Sequence, residues 1–396
     1  MVQALRRRLL SVGHSYVVGL NRRLAHEMAR AGQGRWEVTA VAPKRFLGRN
    51  DLRSVRFEPL PGEACPVVPA RAYLTRYPHL FFYGRRLRAL LREPWDLVHC
   101  WQEPYTLSGG QVAWLTPPHV PFVFWTAQNV AKDYPPPFCW FEEYCLDRCS
   151  GWLSCGRTTE EVQLARGYGT RPHQIIPLGV ATDHFRPDPA AGASTRRGLG
   201  WAEPGPPIVG FLGRFQPEKG LALLMRTLDK LRSPWRALLV GEGPLEGTLR
   251  AWANRHGQRA RVVTGVTHDE VPRYLNAMDV LCAPSQTAGG RREQQGRMLI
   301  EAFACGLPVV SSDAGEIPYV VAEAGVVVPE KEERAWETTL SRMLESPKLR
   351  RELSACGRTR AMEVYAWPVI GRKYLTFFEE LLERYTGERH GAARVG

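Results

Sequence analysis

At 396 residues the chain is long enough for two domains with sizeable cores. Its 44% hydrophobic and 23% charged residues exclude a disordered or fibrous chain, and the lack of any apolar run of ~18 residues excludes a membrane-spanning helix. The formal net charge of +13 lies at one end: residues 1–92 carry 18 Lys and Arg against 5 Asp and Glu, and the rest balances at 35 against 35.

The opening MVQALRRRLLSVGHSYVVGL has the basic start and apolar stretch of a signal peptide, but no small-residue cleavage site follows. The apolar run continues into a helical pattern with Val17, Leu20, Leu24 and Met28 on one face, so the segment reads as strand, loop, helix. Strands are predicted at Leu9–Val12, Trp36–Val41, Leu97–Cys100, Phe122–Thr126 and Gly151–Cys155, with helical patterns between them. That alternation implies a parallel sheet with helices on both faces, which binds ligands at the carboxyl ends of its strands. Tyr77–Leu91 mixes aromatic and basic residues on a predicted helix. It suits an anionic membrane surface or a phosphorylated acceptor, or else it is a solvated face of a basic protein. No nucleic-acid-binding motif occurs. Nine cysteines, an odd number with no CxxC pair, argue against a disulfide framework or a zinc site, so a cytoplasmic protein is expected.

Residues 188–207, rich in Pro, Gly and Ala, read as a linker. Alternation then resumes, with strands at Ile208–Leu212, Ala237–Val240, Arg261–Thr264 and Val280–Ala283 and another opening at Val309. The segment GRFQPEKG, Gly213 to Gly220, places Arg214 and Lys219 at a strand end beside a helix start, where two cations can hold a diphosphate.

The stretch from Arg291 to Pro318 reads RREQQGRMLIEAFACGLPVVSSDAGEIP, with seven residues between Glu293 and Glu301. Leu299 with Phe303 and Ile300 with Ala304 predict a short helix that Gly306 stops. The backbone N–H groups of Gly296, Arg297, Met298 and Leu299 are then unpaired helix N-terminal donors suited to a phosphate. Glu301, about one turn on, reaches ribose hydroxyls; Glu293 faces a sugar, or positive charge developing at an anomeric carbon. On spacing alone, an ordinary capped surface helix fits as well. Helices are predicted at Arg350–Tyr365 and Trp367–Tyr385, the latter with Leu375, Phe378, Leu381 and Leu382 as its apolar face, and the tail 388–396 is expected to be disordered.

Taken whole, EQQGRMLIEAFACGLPVV resembles the Glu, seven residues, Glu signature of the retaining GT-B glycosyltransferases of the family 4 type, which includes glycogen synthases and bacterial glycan and glycolipid transferases. Gln295 stands where that family has Phe. GRFQPEKG matches the family's G-R-x-x-x-E-K-G, and IIPLGVATDHFRP resembles its I-P-N-G-V-D segment with Leu178 for Asn and Ala181 for Asp. DLVHCWQEP resembles D-x-V-H-x-H, which matches His99 to the first His, although a strand-end His equally suits a satisfied core residue. Trp125 to Asn129 resembles T-x-H-D, with Gln128 for the His that reaches the sugar and Asn129 for the Asp. Ser15 and Tyr16 occupy the place of a Gly-Gly pair near the substrate, or belong to a loop with no ligand role.

The resemblance implies an α/β GT-B fold of two Rossmann-like domains about a central cleft. It places an acceptor-side domain at 1–187, a nucleotide-sugar domain at 208–365 and a last helix at 366–387 that returns to the first domain. It implies metal-independent, retaining transfer of a sugar from a nucleoside-diphosphate sugar (a UDP- or GDP-sugar, with no further cofactor) to a hydroxyl of a sugar or lipid-linked acceptor. In that reading Glu293 is catalytic and Glu301 binds ribose. Gly213, Arg214, Lys219 and the 296–299 backbone hold the diphosphate, and Ser15, Tyr16, His99, Gln128 and Asn129 lie on the acceptor or sugar side. A sugar-nucleotide epimerase of the same fold and a catalytically silent nucleotide-sugar-binding protein are the alternatives. Residues 71–92 would dock on an anionic membrane, placing the protein peripherally at the inner face.

Overall fold

The computed structural model describes residues 6–47, 54–201, 204–290 and 292–392, with side chains to Tyr385. Arg291 and the last four residues of the predicted tail lie outside the described residues. The chain forms two compact units, 1–177 with 367–396, and 178–366.

Unit 1 holds a parallel sheet of β1 (Arg7–Val12), β2 (Trp36–Pro43), β3 (Val67–Ala70), β4 (Leu97–Cys100), β5 (Phe122–Thr126), β6 (Gly151–Ser154) and β7 (His173–Ile175), in the order β7-β6-β5-β4-β1-β2-β3. Strands β4 and β6 are apolar runs without alternation and are buried along their length, as expected where helices cover both faces. The long helix Trp367–Ala392 covers part of one face. Its Gly371 lies so near the Arg23–Ala31 helix that a Cβ would sit 2.7 Å from the Glu27 carbonyl carbon. Leu375, Phe377, Phe378 and Leu381 of this helix are buried.

Unit 2 repeats the plan with β8 (Ile208–Leu212), β9 (Arg236–Val240), β10 (Ala260–Val263), β11 (Val280–Ala283), β12 (Val309–Ser312) and β13 (Val326–Val328), in the order β10-β9-β8-β11-β12-β13. Both units are thus Rossmann-like. In each, the strand order reverses once, between β1 and β4 and between β8 and β11. The crevice outside the strand ends at such a reversal is where open α/β sheets bind ligands.

Four expectations are corrected. The first unit ends at Pro177, before the expected 187, because the following segment is tied into unit 2. The Val180 N–H donates to the Tyr365 carbonyl at 2.8 Å, and Arg358 Nη1 to the Phe185 carbonyl at 3.2 Å. The expected linker contains a helix, Pro189–Gly198, opened by Asp188, whose side chain accepts from the Ala191 N–H at 2.8 Å. Asp-Pro here is an N-cap followed by an N1 proline, a helix start within a linker-like composition. The predicted Tyr77–Leu91 helix is only Arg85–Leu91; before it, Phe82–Tyr83 pairs antiparallel with Ala72–Tyr73. Phe81 and Tyr83 are buried, so they are core residues and not membrane anchors. Finally, the last helix continues through 388–392, part of the expected disordered tail.

Candidate functional site

In unit 2 the residues following β8 and β11 converge at the strand-order reversal. Gly213 and Gly241 adopt φ of 149° and 151°, and a Cβ on Gly241 would meet the Gly213 carbonyl oxygen at 1.8 Å. This close approach of two loops fixes the backbone on either side of Arg214. Phe215 is buried and its N–H donates to the Glu242 carbonyl at 2.7 Å, while Arg214 is exposed. Gly220 has φ of 71°, and a Cβ there would fall 1.7 Å from the Pro284 carbonyl oxygen, so the loop that presents Lys219 has to turn on glycine.

Lys219 Nζ donates to Glu293 Oε2 at 2.5 Å, with the two side chains 15% and 14% exposed. The Gly296 N–H reaches Glu293 Oε1 at 3.2 Å, and the Ser285 hydroxyl lies 3.4 Å from Oε2. The main chain of Glu293 is pinned as well. Its carbonyl accepts from the Glu316 N–H at 3.0 Å, and a Cβ on Gly315 would intrude to 2.3 Å of it. Two residues assigned from sequence to different parts of a donor are therefore a direct ion pair, with Ser285 and Glu316 supporting Glu293.

The helix Arg297–Ala304 forms as predicted, behind Gly296 at φ 66°. Its N-terminal donors are not all unpaired, contrary to expectation: besides the Gly296 bond to Glu293, the Leu299 N–H donates to the Gly296 carbonyl at 2.8 Å. The residues between them, Arg297 and Met298, begin the helix and are half-buried. Glu301 is buried, and its Oε1 lies 2.9 Å from Nε2 of His268, whose ring packs edge-on against Phe185 at 5.1 Å. His268 had no sequence signal beyond its place after β10. Gln295 is buried and donates to the Leu178 carbonyl at 3.1 Å, so two departures from the family motif meet each other.

In unit 1 the acceptor-side expectations divide. His99 is fully buried between Tyr374 and Phe378, with ring centroids at 5.4 and 5.6 Å, and burial pushes its pKa down to about 3. Its Nδ1 lies 2.8 Å from the Ser11 hydroxyl, which lies 2.8 Å from the Tyr16 hydroxyl. Tyr16 is likewise buried, and burial raises its pKa. These two are core residues joined through Ser11, the reading without a ligand role that the sequence left open for each. Ser15 is half-buried, and its carbonyl accepts from Asn21 at 3.1 Å. The Gln128 amide donates to the Val130 carbonyl at 2.7 Å and so shapes its own loop, and Asn129 is buried beside it.

Groups that the sequence did not single out occupy the carboxyl ends of this sheet. His14 follows β1, and burial lowers its pKa to about 4. Glu103 follows β4 and accepts from the Thr126 hydroxyl at 2.6 Å and the Ala127 N–H at 2.8 Å. Burial outweighs those two bonds and raises its pKa to about 7. Tyr105 stacks on Tyr134 at 4.0 Å. Their only signal was position after a strand.

The Glu103 carboxyl stays protonated to about pH 7 when folded but ionises near 4.5 when unfolded. Its contribution to stability is therefore complete below about 4.5 and declines as pH rises to about 7. Glu103→Gln, which mimics the protonated form, should remove this decline. We expect it to be neutral near pH 5 and to stabilise by about 2 kcal/mol near pH 8, read by urea unfolding at both pH values. An equal effect at the two pH values would sink the assignment.

The group 1 glycosyl transferase family matches residues 200–360. The chain is 34% identical over 207 residues to a GDP-mannose-dependent alpha-(1-6)-phosphatidylinositol monomannoside mannosyltransferase of Mycolicibacterium smegmatis, covering 50% of this chain and 54% of that protein. The match thus spans about half of that relative's length. It is 30% identical over 374 residues to a D-inositol 3-phosphate glycosyltransferase of Jonesia denitrificans, covering 86% of this chain and 80% of that one. Similar solved structures include a sucrose-phosphate synthase from Thermosynechococcus elongatus (TM-score 0.70, 21% identity, 96% of this chain and all of that one) and Anabaena HepE in complex with UDP (TM-score 0.71, 16% identity, 95% and all). At these identities the structural likeness shows the shared fold.

Proposed function

The chain belongs to the group 1 glycosyl transferases and has their GT-B fold, and from that premise we propose that it transfers a hexose from a nucleoside-diphosphate sugar to a hydroxyl acceptor, with retention and without a metal. The observation that carries this reading is the convergence of exposed Arg214 with the Lys219–Glu293 pair at the strand-order reversal of unit 2. Two cations there neutralise a diphosphate as its bond to the sugar breaks. Lys219 then serves both the leaving group and Glu293, which holds that carboxylate oriented toward the sugar. Glu301, steadied by His268, accepts from the ribose hydroxyls.

GDP-mannose is the first donor to test, since it is the donor named for the mannosyltransferase relative. An acceptor carrying an inositol phosphate follows from the names of both relatives. GDP and UDP are compared first by thermal shift, where the better ligand raises Tm by mass action. Turnover of GDP-mannose is then followed with and without phosphatidylinositol mannoside or inositol phosphate. Acceptor-dependent release of GDP supports transfer. Isomerisation of the donor supports an epimerase, and binding without turnover a silent binding protein.

For a lipid-linked acceptor, unit 1 offers a docking face at the inner surface of a membrane. Leu74, Tyr77, Leu80 and Trp114 are 52%, 55%, 37% and 65% exposed, beside exposed Arg71, Arg76, Arg85, Arg86 and Arg88. Arg88 lies over the Trp114 ring at 6.0 Å. Basic residues at an anionic surface contribute about 1 kcal/mol each, screened by salt. We expect sedimentation with anionic but not neutral vesicles, and its loss when Arg85, Arg86 and Arg88 become Gln, with GDP binding intact. Equal binding to neutral vesicles would leave a soluble acceptor as the reading.

A further inference from the structure

Unit 1 carries a polar cavity at the amino-terminal ends of β6 and β7. It has a volume of about 680 Å³ and is bordered by the residues just before β6 and β7 together with the last helix. Three arginines line it. Arg148 donates to the carbonyls of Pro117 at 2.6 Å and Val120 at 2.9 Å, and Arg171 to the carbonyl of Asp147 at 2.8 Å. Arg384 enters from the last helix. Among the described residues, none of the three guanidinium groups forms an ion pair with a carboxylate. Asp147, itself a lining residue, offers Arg171 its main chain, and Glu160 lies 3.6 Å from His173. Ser150 and Thr170 add hydroxyls to the same wall.

Carbonyls orient a guanidinium but supply only partial charge, so three positive charges line a concave space in which Asp147 brings the one acidic side chain among the described lining residues. Phosphate oxygens match the planar donor fork of arginine, and the volume lies in the range of small-molecule sites. We propose that this cavity binds the phosphate of a small phosphorylated metabolite, at a site separate from the donor and acceptor positions. The site unites the 148–150 and 169–173 segments with the closing helix, so an occupant fastens that helix to the sheet.

The proposal does not depend on the transferase reading, and pyrophosphate is the probe that tests it. Isothermal titration of the full chain at low salt should give two classes of site. One is lost in Arg214→Ala, which removes a cation of the unit 2 site. The other weakens at least tenfold in R171Q/R384Q, whose donor turnover stays unchanged. Thr170→Asp, which adds a negative charge at an exposed position of the wall, should abolish the second class without deleting any arginine. A single class that disappears with Arg214→Ala overturns the proposal. So does pyrophosphate binding that persists as two classes in both cavity variants.

Discussion

Arg214→Ala should lower sugar transfer by about 10²-fold or more at saturating donor while leaving the fold intact. Its side chain is exposed and its loop is held by Gly213, Phe215 and the Gly241–Gly243 turn, so removing it costs charge and not packing. Lys219→Ala should lower turnover to a similar degree but should also destabilise the protein. It removes the cation paired with the Glu293 carboxylate, which is 14% exposed and also meets the Gly296 N–H at 3.2 Å and the Ser285 hydroxyl at 3.4 Å. Stranding a buried charge in this way costs about 2–4 kcal/mol. The double variant Lys219→Ala/Glu293→Ala should recover much of that stability and none of the activity. Full turnover in Arg214→Ala would remove the diphosphate assignment, and an unchanged melting temperature in Lys219→Ala would show that the ion pair does not bear on folding.

Glu293→Gln and Glu301→Ala should divide kcat from KM. In the proposed transfer Glu293 sits beside the cation that meets the leaving group, so its interactions with the reacting sugar would strengthen as charge develops. Replacing it by Gln keeps the shape but lowers kcat by about 10²-fold. In the same proposal Glu301 addresses the ribose, which the reaction does not change, so its loss would weaken ground and transition states alike and appear in KM. A charge-assisted hydrogen bond of about 1.5–3 kcal/mol corresponds to about 10- to 100-fold weaker nucleotide binding. His268→Ala should give a milder form of the same KM effect, because the ring is 2.9 Å from Glu301 and orients it. GDP and UDP affinities that Glu301→Ala leaves untouched would reject this division of labour.

The strands at the centre of both sheets were legible in the sequence because they are apolar runs buried on both faces. Leu97–Cys100, Phe122–Thr126, Ile208–Leu212 and Val280–Ala283 appear with the predicted bounds. Three strands of the parallel sheets that sequence reading missed, Val67–Ala70, His173–Ile175 and Val326–Val328, are short and sit at sheet edges. Their pairing partner, and not a hydrophobic pattern, makes them strands, and Pro69 is tolerated because an edge leaves some ladder donors unused. The helix at Pro189 was hidden for a related reason. Its composition is that of a linker, and it is held by tertiary contact: a Cβ on Gly192 would meet the Asn276 carbonyl oxygen at 2.2 Å.

The sequence by itself determined the fold class and the family. Those depend on local chemistry: glycines at forced turns, cations after a strand, and two carboxylates at a set spacing around a helix start. Only the tertiary structure decided what each polar group is paired with. It joined Lys219 to Glu293 across 74 positions of chain and His268 to Glu301 across 33. It drew Tyr16 and His99 into one buried chain through Ser11, and placed Glu103 where burial holds it protonated to about pH 7. A side chain's charge state and partner depend on the solvent it loses and the neighbours it gains on folding, and neither is written in its sequence position.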